Sequence, residues 1–146
     1  SIELEKSYVL DLFSGTGSFG LECLSRKAKH VCFVENYIGI LPILKNNLSN
    51  LKTVKNYSIL EKNILIDIDF LEKKEKFDII FLDPPYKDKN IESLLNNILK
   101  ENSLNSHGII ILHRHKDAKD NIPLNFKIIE KKQYGISKII FITHSN

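Results

Sequence analysis

The stretch YVLDLFSGTGSFG, residues 8–20, decides how the rest of the chain is read. Its first half, Tyr8–Phe13, is a short apolar run broken only by Asp11, with the length and composition of a buried strand. Ser14 to Gly17 follows as a turn, in which Gly15 and Gly17 can take the positive φ that other residues resist. From Ser18 to Lys27 the apolar residues return at helical spacing. The spacing Gly15-x-Gly17-x-x-Gly20 therefore stands in the context that gives it meaning: strand, turn, helix. Such a turn lets a ligand approach the backbone and opens onto the free N–H groups of a helix. The same spacing also serves a turn that merely packs a helix on a strand.

Outward from this unit, strands and helices alternate. His30–Glu35 reads as a second strand and Ile38–Leu51 as the next helix, with Pro42 in the first turn, where its missing N–H costs little. Val54–Leu60 is a third strand and Phe77–Leu82 a fourth. A helix at Asn90–Lys100 and a fifth strand at Gly108–His113 follow. Phe126–Lys132 and Lys138–His144 alternate in polarity around Tyr134-Gly135, the mark of a terminal hairpin. Right-handed crossovers then give an α/β fold, a mostly parallel sheet covered on both faces, with the hairpin adding one antiparallel strand.

The chain has 146 residues, one domain's worth, and residues 1–146 are read as a single unit. Its 42% hydrophobic and 27% charged residues exclude a disordered chain. No apolar run approaches the ~18 residues of a membrane span, and the first residues look nothing like a signal peptide. Cys23 and Cys32 sit in apolar stretches, too few and too isolated for a zinc site, and read as buried thiols in a reducing cytoplasm. No metal is expected. The balance of 21 Lys+Arg against 18 Asp+Glu permits a polyanionic partner without demanding one. Nineteen of the basic residues are lysines, a bias that suits an AT-rich genome. The chain opens on Ser and contains no Met, so its natural start is expected upstream.

Two acids face the turn. Glu35 ends the second strand, where a carboxylate can accept both hydroxyls of a ribose lying across the strand ends. Asp11 sits three residues before Ser14, at the crevice end of the first strand. A carboxylate there repels a pyrophosphate and attracts an ammonium or sulfonium group. Asp11 to Gly17 therefore suits S-adenosylmethionine better than a nicotinamide cofactor. Asn63, after the third strand, could bond an adenine edge or could be an ordinary turn residue.

The most specific signal is Asp83-Pro84-Pro85-Tyr86, directly after the most apolar strand. Two prolines stiffen the loop and donate no N–H, so the loop offers acceptors. The Asp83 carboxylate and the Pro84 carbonyl can each take one N–H of an exocyclic amine, orienting its lone pair toward a methyl donor. Tyr86 offers a flat face for a base drawn out of its stack. Any planar NH2 group fits this description.

These residues carry a resemblance. Asp11 to Arg26 (DLFSGTGSFGLECLSR), Val34-Glu35, Lys45 to Leu48 and Phe77–Tyr86 are similar to the motifs of the RsmD family of bacterial ribosomal RNA methyltransferases. The likeness covers nearly the whole chain. It implies a Rossmann-like, seven-stranded class I S-adenosylmethionine-dependent methyltransferase fold. It also implies methyl transfer to guanine N2 in small-subunit rRNA, leaving S-adenosylhomocysteine. The cofactor-binding set it implies is Asp11, Phe13, Ser14, Gly15, Gly17, Glu35, Asn36, Asn63 and Asp83. The catalytic set is Asp83, Pro84, Pro85 and Tyr86. The chain would act as a monomer in the cytoplasm, on rRNA in an assembling small subunit.

Three departures from the family pattern are visible. The family opens on an arginine-containing arm before its first strand, and that arm is expected to be missing. Where the family has Glu-x-Asp or Glu-x-Asn-x-x-Ala, this chain reads Glu35-Asn36-Tyr37-Ile38-Gly39. The loop at Asn63 lacks the usual Asp-Ala pair. The Asp-Pro-Pro-Tyr loop is shared with DNA adenine and glutamine methyltransferases, so adenine-N6 or glutamine-N5 transfer is the competing chemistry. DNA adenine enzymes carry an added recognition domain, for which 146 residues leave no room. A cofactor-binding module that needs its arm for activity is the competing class. His113, Arg114 and His115 could contact phosphate or form a solvated strand end.

Overall fold

The computed structural model describes residues 3–63, 76–88 and 90–145. After a single turn at Leu4–Lys6, the elements are β1 (Tyr8–Leu12), α1 (Ser18–Ser25), β2 (His30–Val34), α2 (Leu41–Ser49) and β3 (Tyr57–Leu60). They continue with β4 (Phe77–Leu82), α3 (Ile91–Lys100), β5 (Leu104–His115), β6 (Phe126–Tyr134) and β7 (Ser137–His144). The sheet has seven strands in the order β3-β2-β1-β4-β5-β7-β6. The pairs from β3 to β5 are parallel, and β7 runs antiparallel to both of its neighbours.

The central strands are apolar throughout because both of their faces are covered. Val9, Val31, Phe33 and Ile79 pack on one side with Leu24 of α1 and Leu44 and Leu48 of α2. Leu10, Leu12, Ile80 and Leu82 point the other way, against Leu94, Leu95 and Ile98 of α3. The order reverses between β1 and β4, whose carboxyl ends lie at the same edge as those of β2 and β5. A crevice outside strand ends at such a reversal is where open α/β sheets bind ligands. No helix among the described residues is long and apolar enough to cross a membrane.

Element boundaries differ from the sequence reading where pairing, not composition, sets them. β3 begins at Tyr57 rather than Val54, because its pairing with β2 starts at Val31 opposite Tyr57. Asn56 instead spends its side-chain amide on the Ala28 and Lys29 carbonyls. α2 begins at Leu41, with Pro42 in its first turn. β5 starts at Leu104, four residues before Gly108, since Leu104 pairs with Phe77 and the polar Asn105 bonds Asp78. Cys23 and Cys32 are buried and outside any disulfide, and burial pushes the Cys23 thiol up to about 12, so it stays protonated and inert.

The third glycine of the turn motif has a packing role. A Cβ at Gly20 would collide with the ring of Phe33, which is fully buried between α1 and the sheet. Gly20→Ala is expected to destabilise the fold by about 1–3 kcal/mol through overpacking. Thermal unfolding checks this, with the midpoint falling roughly 3–5 °C for each kcal/mol lost. An unchanged midpoint would refute the close approach.

Candidate active site

The chain leaves β1 through Phe13, Gly15 and Gly17, all at positive φ, of 60°, 57° and 87°. Glycine takes this conformation freely, whereas for phenylalanine it costs on the order of 1–3 kcal/mol. The residues around Phe13 hold it there. Ser14 Oγ donates to the Asp11 carbonyl at 2.6 Å and accepts from the Val34 N–H at 3.0 Å, while Ser14 N–H donates to the Val34 carbonyl at 3.1 Å. The ends of β1 and β2 are thus knotted together by one hydroxyl. Glu35, the residue after β2, which ends at Val34 and not at Glu35 as expected, accepts from Gly15 N–H at 2.8 Å through one oxygen, and from Asn36 and Tyr37 N–H through the other.

Asp11 lies under the turn, 1% exposed. The α1 N-cap is Gly17, which has no side chain to cap with, and Asp11 Oδ2 accepts the Gly20 N–H at 3.2 Å instead. Its Oδ1 is buried and has no hydrogen-bond partner among the described residues. Burial drives its carboxyl up to about 7; the Gly20 hydrogen bond opposes this, and the nearby Asp83 and Glu35 charges add to it.

The loop after β4 is held from below by the end of β5. Arg114 is not a phosphate contact on a solvated strand end. It is buried and forms a two-point pair with Asp120, at 2.9 and 3.1 Å. Its remaining N–H groups donate to the Pro85 carbonyl at 3.2 Å and the Asp88 carbonyl at 2.8 Å. On one side of it His113 bonds Asp83, and on the other the His115 ring meets Tyr86 edge to face, with centroids 4.5 Å apart. One consecutive triplet therefore contacts Asp83, Pro85 and Tyr86 of the Asp-Pro-Pro-Tyr loop.

Two clefts open at this edge of the sheet. The larger, about 670 Å3, is walled by Phe13, Glu35, Asn36, Asn63 and Pro85, together with Lys62 and Lys87. The smaller, about 420 Å3, is walled by Phe13, Ser14, Gly15, Phe19, Asp83 and His113. Phe13 is common to both, so its unusual backbone sets the partition. Among the expected residues, Asp11 lies beneath these walls, Gly17 is buried against Leu44, and Pro84 is buried in the loop. Tyr86 stands outside both clefts and is 55% exposed. A cleft of about 660 Å3 elsewhere, lined by Lys76, His107, Lys127 and His144, holds none of the expected residues. The sequence reading left His113 unassigned. Its signal was register: Leu82 pairs with Leu112, so the next residues on each strand are Asp83 and His113.

A mostly parallel sheet of this strand order, with its last crossover strand reversed and a glycine turn and two acids at the point of reversal, defines the class. It is the Rossmann-like class I methyltransferase fold. Residues 1–143 match the family described as Conserved hypothetical protein 95, and the chain belongs to that family, the RsmD family of the sequence resemblance. Ribosomal RNA small subunit methyltransferase D of Haemophilus influenzae is 33% identical over 137 residues, 91% of this chain and 69% of the relative. The protein of the same name from Buchnera aphidicola is 30% identical over 145 residues, 99% of this chain and 72% of the relative. The solved structure of a methylase from Haemophilus influenzae superposes with a TM-score of 0.84 at 30% identity, covering 98% of this chain and 89% of that one. A methyltransferase structure from Escherichia coli gives 0.81 at 25% identity, covering 97% and 77%.

The buried carboxyl has a consequence for stability. Asp11 titrates near 3.8 in an unfolded chain and at about 7 in the fold, so between those values folding takes up a proton. Stability from this group is complete below 3.8 and is lost as pH rises to about 7, by about 4 kcal/mol at most. Asp11→Asn cannot ionise. Its melting midpoint relative to the unaltered chain should rise between pH 4.5 and 7 and level off above. A gap that stays constant across that range refutes the raised value.

Proposed function

We propose that the chain transfers a methyl group from S-adenosylmethionine to the exocyclic N2 amine of a guanine in small-subunit ribosomal RNA, working as a monomer on the assembling particle. The observation that carries this reading is the pair of clefts sharing the Phe13 wall, one bearing Glu35 and the other Asp83. The small-subunit rRNA methyltransferases to which the chain is similar supply the substrate class.

The residues fit the cofactor. The Oδ1 of Asp11, directly under the turn and without a hydrogen-bond partner among the described residues, suits a cationic ligand and disfavours a pyrophosphate. When bound, S-adenosylmethionine supplies an electrophilic methyl on a sulfonium. Glu35 keeps lone pairs for ribose hydroxyls after holding the turn N–H groups, since an ionised carboxylate accepts about four hydrogen bonds. Phe13, Asn36, Asn63 and Pro85 form the walls for the adenine. Across Phe13, the Asp83 carboxylate and the Pro84 carbonyl accept the two N–H groups of the target amine and aim its lone pair at the methyl. The exposed ring of Tyr86 stacks on the extruded base.

Calorimetry tests the cofactor. S-adenosylhomocysteine should bind and NADH should not, and Glu35→Ala should weaken binding by about 1–3 kcal/mol. The reverse preference would sink the reading. Single-turnover methylation of small subunits from a strain lacking the activity, at saturating cofactor, tests the chemistry. Asp83→Ala should abolish transfer with S-adenosylhomocysteine affinity nearly intact. Tyr86→Ala should slow it by about 1–3 kcal/mol, the scale of base stacking, while Tyr86→Phe is tolerated. If Tyr86→Phe is as dead as Asp83→Ala, the hydroxyl has a chemical role and the stacking assignment is wrong.

A further inference from the structure

The strand ends set Asp83 and His113 beside each other, one residue past the last β4–β5 pair, Leu82 with Leu112. His113 Nδ1 lies 2.8 Å from Asp83 Oδ1. A carboxylate oxygen can only accept, so the imidazole carries its proton on Nδ1. Both side chains line the smaller cleft with Gly15, and they are 35% and 46% exposed, open to an incoming ligand. Among the described residues, His113 is the hydrogen-bond partner of the Asp83 carboxylate. Rotation of a free aspartate about χ2 is broad, so without this contact the carboxylate plane would wander.

We propose that His113 is the positioning residue for Asp83: by engaging Oδ1 it fixes the carboxylate plane and leaves Oδ2 to accept the target amine. This deepens the function proposed above and rests on it. The requirement is for an N–H at that spot and not for an imidazole as such. An asparagine at 113 can make the same donation; an alanine cannot.

The test compares the unaltered chain with His113→Ala and His113→Asn in single-turnover transfer to small subunits at saturating S-adenosylmethionine. Affinity for S-adenosylhomocysteine is measured beside it. His113→Ala should slow transfer about 10- to 100-fold, the scale of a misplaced reacting group, with unchanged affinity for S-adenosylhomocysteine. His113→Asn should recover most of the rate. Equal rates in all three chains, or equal losses in both variants, overturn the positioning role and leave the function standing. An unaltered chain that is silent on small subunits overturns both. Independently of activity, nitrogen-resolved NMR of the imidazole should show the Nδ1–H tautomer, and Asp83→Ala should abolish that preference. A tautomer indifferent to Asp83 also overturns the proposal.

Discussion

Two carboxylates hold the glycine turn by its backbone N–H groups, and the rest of the site depends on them. Glu35 accepts from Gly15 and Asp11 accepts from Gly20, one on each side of the bend. The Gly15 N–H in the turn and the Gly20 N–H in the first turn of α1 donate to side chains and not to strand or helix carbonyls, and unpaired buried donors are costly. Acids supply the missing acceptors, and one of them, Glu35, leaves its carboxylate in the wall of the crevice where the chain reverses. The chemistry of the crevice follows from a structural need.

Ser14 adds the second constraint. Its hydroxyl joins β1 to β2 while Phe13 is held at positive φ, and the ring that results divides the crevice. Serine suits the position because it donates and accepts at once within one short side chain. The strain at Phe13 is offset by bonds on either side of it, in keeping with strained backbone persisting only where its surroundings over-determine it.

The parts of the fold legible in the sequence were those carried by local periodicity. The strands β1, β2 and β4, the glycine turn and α1 follow from apolar runs and glycine spacing, and the loop Asp83–Tyr86 follows from two prolines after a strand. What could not be read were the pairings across the sheet. The N-terminal third of β5, from Leu104 to His107, is too polar to look like a strand and exists because Phe77 offers a partner. His113, Arg114 and His115 were equally opaque. A histidine–arginine–histidine run has many possible uses, and only the parallel register with β4 sets each of its members under a different residue of the loop. Glu35 and Asp83 were visible as residue types in a motif. The groups that bond them from neighbouring elements were not.

Arg114 shows why that supporting layer is ionic. A buried arginine–aspartate pair contributes little net stability, because desolvating two charges offsets most of their attraction. An apolar pair in their place would not hold the Asp88 carbonyl, nor add a second hydrogen bond to the Pro85 carbonyl, which also accepts the Asp88 N–H at 2.9 Å. The guanidinium has five donors in a rigid plane, enough to clamp Asp120 through two of them and still reach both carbonyls. Lysine, with three donors on a flexible stem, could not span the same four acceptors in a fixed geometry. The loop that presents Asp83 thus owes its shape to two prolines from within and to one buried cation from below.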